Sequence, residues 1–249
     1  MEILVCTLKE LKSLGCSGIK ISFEDEGALH NEVISMRKLT AEVGLELSVK
    51  IGGCEAKRDI VDCMDLDCDT IVAPMIESEF ALKKFLKSLD AYKCDKKKGF
   101  NLETIQAYEN LDTLSNSFDK VDFVTVGRHD FMDSYNKDKD FIDSEEMYNI
   151  IKNIFTVVRE KKTACYMGGA ISIKSKNFIN KLVSENLLYK FETRYVIFDV
   201  NKINLEDFDK LLCLAVSFEI QWLKYVSSRY FLHANKDVAR IKMIEERLK

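Results

Sequence analysis

Along the chain, short apolar or β-branched runs alternate with longer segments whose apolar residues recur every three to four positions. The short runs predict strands over residues 2–5, 18–23, 46–51, 70–73, 98–102, 122–126, 163–167 and 195–199. The periodic segments predict helices over 31–43, 56–64, 78–89, 104–114, 144–161 and 175–185. Strand followed by helix, repeated, is the rhythm of a parallel sheet in an α/β fold, and eight such units close a (β/α)8 TIM barrel. A doubly wound open sheet would carry a GxGxxG turn after its first strand, and the sequence has none there. Residues 205–249 continue as a C-terminal helical segment, longer than a closing helix needs, so residues 1–249 are expected to form a single barrel domain with a helical extension.

The composition is compatible with that picture. A chain of 249 residues with 47% hydrophobic content can bury one full core. The net charge is -4, and Lys and Arg are scattered along the chain with no basic stripe, which argues against nucleic acid as a partner. The opening "MEILVCTLKELKSLG" does not read as a signal peptide, and no apolar run reaches the length of a membrane span, so a cytoplasmic protein with no membrane partner is expected. The eight cysteines include no CxxC pair and are expected to be reduced; Cys54, Cys63 and Cys68 fit no zinc-ligand spacing.

In such a barrel the chemistry sits at the C-terminal ends of the strands. Those ends carry Glu24-Asp25-Glu26, then Lys50 with Gly52-Gly53, then Asn101 and Glu103, then Gly127-Arg128-His129-Asp130, and finally Gly168-Gly169. Glu103 and Asp130 end consecutive strands, which lie roughly 4.8 Å apart in a parallel sheet. Two carboxylates reaching over the rim there could share one hard cation, Mg2+ or Mn2+, with room left for water and substrate. Taken singly, Glu103 reads better as an acid at a helix N-terminus and Asp130 as a loop or cap residue; it is their paired placement that points to a metal.

The stretches "NLETIQAYENLDTL" and "VDFVTVGRHDF", with "KISFEDEGA", "IVAPMIES" and "GGAIS", resemble the motifs of the HpcH/HpaI aldolase and citrate-lyase-beta-like family across roughly residues 18 to 200. The resemblance implies a metal-dependent barrel that makes or breaks a carbon-carbon bond next to pyruvate or an acyl-CoA. It implies Glu103 and Asp130 as metal ligands, Asn101 in the substrate pocket, and the backbone at Val126-Gly127-Arg128 as the cradle of the substrate carboxylate.

Three departures bear on the substrate. Lys50 stands where the family usually has an Arg, giving a point charge without the planar fork. The acidic run Glu24, Asp25 and Glu26, with His30 displaced, is closer to the citrate-lyase-like members than to the aldolases. Arg128 stands where a small residue is common, and it could share an anionic group with Lys50. The expected reaction is aldol cleavage or condensation of a 2-oxo acid with an aldehyde or acyl partner. Lys50 supports the developing enolate, and Glu24, Asp25, Glu26 or His30 serves as acid or base. Two alternatives remain: a CoA-thioester or phosphorylated-substrate lyase using Lys57, Arg58 and Arg128, and a non-catalytic metabolite-binding relative. The charged loop "MDSYNKDKDFIDSEEM" is read as a candidate lid or a solvated face. The apolar residues after Asp207 are expected to hold a homo-oligomer together.

Overall fold

Alternation within the strands sets the architecture. Leu47 and Val49 flank Ser48, Phe100 and Leu102 flank Asn101, and Val124 and Val126 flank Thr125. Because successive side chains point to opposite faces, the apolar set turns outward under the helices while the polar set faces the barrel axis. The apolar set is buried almost completely. The polar set at the upper end opens a cavity where many barrels of this class are filled with branched apolar side chains.

The computed structural model describes residues 1–248. Among them, eight strands close a barrel in sequence order: β1 (Cys16–Ser22), β2 (Glu46–Lys50), β3 (Thr70–Ala73), β4 (Lys97–Leu102), β5 (Phe123–Gly127), β6 (Ala164–Gly168), β7 (Lys190–Glu192) and β8 (Val196–Asp199). Strands β1 to β7 run parallel, and β8 returns antiparallel to both β7 and β1. The β7–β8 turn is a tight hairpin in which Thr193 and Val196 exchange hydrogen bonds.

The helices are α1 (Glu2–Ser13), α2 (His30–Val43), α3 (Lys57–Asp65), α4 (Glu79–Ala91), α5 (Ile105–Glu109), α6 (Leu111–Leu114), α7 (Arg128–Ser134), α8 (Glu145–Glu160), α9 (Lys176–Ser184) and α10 (Phe208–Glu245). Several start on a hydroxyl cap: Ser78, Thr104 and Ser144 each accept the backbone N–H three residues on, at 3.2 Å.

Two departures from the expected elements cancel in the strand count. Residues 2–5 are not a strand but the first turn of α1. Leu4, Leu8 and Leu11 recur at helical spacing and bury one face, which a four-residue apolar run cannot reveal by itself. The strand the pattern misses is β7, whose three residues Lys190, Phe191 and Glu192 place one apolar group between two charged ones. Glu103 and Asp130 therefore follow the fourth and fifth strands of the barrel.

Helix α10 has 38 residues. Its first half packs on the barrel through Phe208, Leu211, Ala215, Phe218 and Trp222, and against α1, where the Thr7 hydroxyl donates to Gln221 at 2.9 Å. The charged loop does not close over the barrel mouth. Phe141 and Ile142 are buried within it, and Asp143 is tied down by Arg128 at 2.7 Å. No helix among the described residues is long and apolar enough to cross a membrane.

Candidate functional site

A cavity of about 540 Å³ opens at the C-terminal end of the barrel. Its β4–β5 wall is built around Glu103, one residue beyond β4 and only 2% exposed. Glu103 Oε2 accepts from Asn101 Nδ2 at 2.9 Å, and Oε1 accepts from the backbone N–H of Met75 at 3.1 Å. Met75 holds a left-handed φ of 49°, a costly conformation for a side-chain-bearing residue, and it aims that N–H at the carboxylate. Across the β4–β5 ladder lies Gly127, where a Cβ would sit 2.6 Å from Glu103 Oε2. The motif glycine is the space the carboxylate occupies.

Asp130, third residue of α7, lines the same cavity and is half-buried. Burial raises the pKa of Glu103 above the usual carboxylate range. The charge of Asp130 raises it further, while Lys50, the Met75 N–H and Asn101 oppose the shift. Lys50 ends β2 and points into the cavity, its Nζ 2.8 Å from Glu24 Oε2. Burial alone would lower the Lys50 pKa. The hydrogen bond that Lys50 donates to Glu24 and the charges of Glu103, Glu24 and Asp25 outweigh it, so the ammonium is held above its usual value.

The acidic run after β1 divides into three roles. Glu24 meets Lys50, Asp25 meets Arg194 Nη1 at 3.2 Å, and Glu26 accepts from the Ser22 N–H at 3.1 Å. Burial pushes the Glu26 carboxyl up to about 7. Asp25 and Glu26 line the cavity, as do Asn101 and Gly127.

Of the residues singled out from the sequence, Glu24, His30, Lys57, Arg58 and Arg128 do not line the cavity. The Arg128 guanidinium is fully buried behind the rim. It donates to Asp143 Oδ1 at 2.7 Å, to the carbonyls of Ile142 and Gly169 at 3.3 and 3.1 Å, and to Ser175 Oγ at 3.1 Å, and it stacks over Phe178. It cannot share a substrate anion with Lys50, because it is fully buried and both of its terminal nitrogens are spent on the fold. His30 opens α2 and faces Asp62 of α3 at 3.5 Å, outside the cavity.

The cavity also contains residues that the motifs did not flag. Lys20 and Glu192 form an ion pair at 2.5 Å across the β1–β7 side of the barrel interior, with Arg194 at the rim and Glu219 contributed by α10. The alternation signal could have found Lys20, which sits between outward-facing Ile19 and Ile21. Glu192 was hidden with its strand.

The donor set can accommodate a hard divalent cation. Glu103 and Asp130 supply two carboxylates whose mutual repulsion a cation would relieve, and Mg2+ is typically held by one or two carboxylates plus water and substrate oxygens. Among the described residues no group of three or more His, Cys, Asp or Glu side chains converges as a closed metal cage. The buried Cys63 and Cys68 are free thiols, as are the other cysteines.

The sequence matches no family model and no curated protein. Solved structures do match. An HpcH/HpaI aldolase/citrate lyase family protein from Burkholderia cenocepacia J2315 superposes with a TM-score of 0.62 at 13% identity, over 76% of this chain and 82% of that one. An HpcH/HpaI aldolase from Desulfitobacterium hafniense DCB-2 gives 0.63 at 9% identity, over 87% and 88%. The chain has the HpcH/HpaI aldolase fold. The citrate synthase SbnG shares it too, with a TM-score of 0.60 at 12% identity over 88% of this chain and 98% of that one.

Proposed function

We propose that the protein is a carbon-carbon lyase or aldolase acting on a 2-oxo acid through an enolate, with Mg2+ or Mn2+ held by Glu103 and Asp130. The observation that carries this reading is the convergence of the buried Glu103, Asp130 and the Lys50 ammonium on one cavity at the strand ends. The fold shared with HpcH/HpaI aldolases and with a citrate synthase supports it. A bound divalent ion would supply Lewis acidity toward the keto oxygen.

The chain's own groups do the rest. Asn101 and the Met75 N–H hold the Glu103 carboxylate in place. Lys50, kept protonated by Glu24, places positive charge where the enolate oxygen develops. Asp25 and Glu26 border the space for the aldehyde or acyl partner. Of the two, Glu26, at about 7, can exchange a proton near neutral pH. The CoA or phosphate alternative loses one of its three cations to the Arg128 network, while Lys57 and Arg58 are exposed on α3, outside the cavity. The reading also includes a homo-oligomer assembled through α10.

Exchange of the pyruvate methyl protons into deuterated water, followed by NMR with and without Mn2+ or Mg2+, tests the proposal. The parent chain should exchange only with metal. Glu103→Gln and Asp130→Asn should each weaken Mn2+ binding by at least about tenfold and abolish exchange. A parent that exchanges no protons with either metal, or variants that bind Mn2+ as the parent does, would overturn it.

A further inference from the structure

A second cavity lies outside the barrel wall. Lys20 and Ser22 line the barrel interior, so Ile21 between them faces the other way. Ile21 lines a space of about 440 Å³ enclosed by the loop after β1, the first turn of α2 and the middle of α10. That volume falls in the range of roughly 300–1,000 Å³ typical of small-molecule sites. The two cavities share one lining residue, Glu26.

The charged side chains lining this second cavity are Glu26 and Glu32, and among the described residues no Lys, Arg or His joins them. Glu32 is fully engaged: Oε2 accepts from the Leu29 N–H at 2.9 Å and Oε1 from the Tyr230 hydroxyl at 2.5 Å. Glu26 is not. Its side chain is 11% exposed, and Oε2 accepts from the Ser22 N–H at 3.1 Å, but Oε1 accepts no hydrogen bond among the described residues. Arg194 Nη1, already bonded to Asp25, stands 3.8 Å from it. Tyr195 is 4% exposed, yet its hydroxyl has no hydrogen-bond partner among the described residues. Burial first, then the charges of Glu26, Glu219 and Glu32, raise the pKa of that phenol. Burial likewise lifts Glu26 to about 7, against the Ser22 N–H and the opposing charges of Lys20 and Arg194.

Two nearly buried oxygens with unmet hydrogen-bonding capacity thus face one enclosed space, and such groups are costly to leave unmade. An anion is excluded, because the lining offers it two carboxylates and no cation. A wholly apolar ligand would leave both oxygens as they are. A group with positively charged N–H donors satisfies both, and charge-assisted bonds of this kind are the strong ones. The rings of Tyr195, Trp222 and Tyr230 complete a lining that suits a cation. We propose that this cavity is a binding site for a small organic ammonium ion, which donates to Glu26 Oε1 and to the Tyr195 hydroxyl oxygen while its apolar part lies against Ile21, Trp222 and Val226. The site is separate from the barrel cavity and stands whichever substrate that cavity takes.

The test titrates benzylammonium and its neutral counterpart, benzyl alcohol, calorimetrically into the full chain near neutral pH and without metal. The parent should bind benzylammonium at least about tenfold more tightly than the alcohol. Glu26→Gln should remove that preference. Tyr195→Phe keeps the ring and loses only the hydroxyl, and it should weaken benzylammonium binding by about tenfold, with thermal melts to show that both variants are folded. Asp25→Asn changes a residue that lines the barrel cavity alone, and it should bind benzylammonium as the parent does. A parent that binds no benzylammonium, or binds the alcohol equally, overturns the proposal. So does a Tyr195→Phe variant with undiminished affinity. A loss in Asp25→Asn as large as in Glu26→Gln would put the amine in the barrel cavity and overturn the second site. None of these outcomes bears on the 2-oxo acid reading, which metal-dependent proton exchange tests by itself.

Discussion

Arg128 and Glu26 carry the clearest consequences of single side chains. The Arg128 guanidinium, 0% exposed, holds the Asp143 carboxylate and two backbone carbonyls, and its Nε has no partner among the described residues. Arg128→Leu would strand a charge and two acceptors, so it should cost about 3 kcal/mol. The expected readout is a lower urea midpoint at unchanged slope. Glu26 predicts a pH dependence. Its native pKa of about 7 lies above the ordinary 4.5, so the native state binds more protons than the unfolded chain between those values. Stability is then full below about pH 4.5 and falls as pH rises to about 7, by roughly 3 kcal/mol. Unfolding free energies from urea titrations at pH 5 and pH 8 should differ by that much more in the parent than in Glu26→Gln. At this scale the sequence was informative about residue type and silent about direction. Lys50, Asn101 and Glu103 follow from strand parity and rim position. The outward turn of Arg128 depends on Asp143, fifteen positions on in a loop with no pattern of its own.

Among the elements, the parallel strands and their helices were legible because each strand is a short apolar run ended by a cap or glycine. The errors fell where that contrast fails. The first turn of α1 is as apolar as a strand, and β7 is too short and charged to stand out. The β4–β5 ladder makes its own prediction. A Cβ at Gly127 would come within 2.6 Å of Glu103 Oε2, whereas one at Gly168 would crowd Glu192 Cγ at 3.0 Å instead. Gly127→Ala should therefore displace the Glu103 carboxylate and weaken Mn2+ binding on the order of tenfold or more, while Gly168→Ala leaves Mn2+ affinity unchanged. Calorimetric titration of both variants checks the pairing, with thermal melts to show that each is folded.

For the whole molecule, the surplus length after the barrel was evident in the sequence, but its division of labour was not. Of the apolar residues after Asp207, Leu211, Phe218 and Trp222 are buried on the barrel, while Val216, Ile220 and Leu223 are exposed. Contacts to the barrel persist as far as Arg229, which donates to Ser35 Oγ at 2.9 Å, and Tyr230, which bonds Glu32. Beyond them Phe231, Leu232, Val238 and Ile241 lie more than half exposed, over roughly 22 Å of helix at 1.5 Å per residue. A chain ending at Tyr230 should still fold, since it loses none of these contacts, but should fall to monomer mass by light scattering if α10 assembles the oligomer. A monomeric full-length chain would reject that assembly.

Trp222 is the sole tryptophan of the sequence. It is 2% exposed, and it shares a pocket with Glu26, Tyr195 and Tyr230 where α10 seats against the loop after β1. The protein thus carries its own optical label at the join between helix and cavity rim. Any shift in that seat, whether from a ligand entering that pocket or from a second copy gripping α10, would pass through the surroundings of this one indole and change the colour of its emission, with no dye attached.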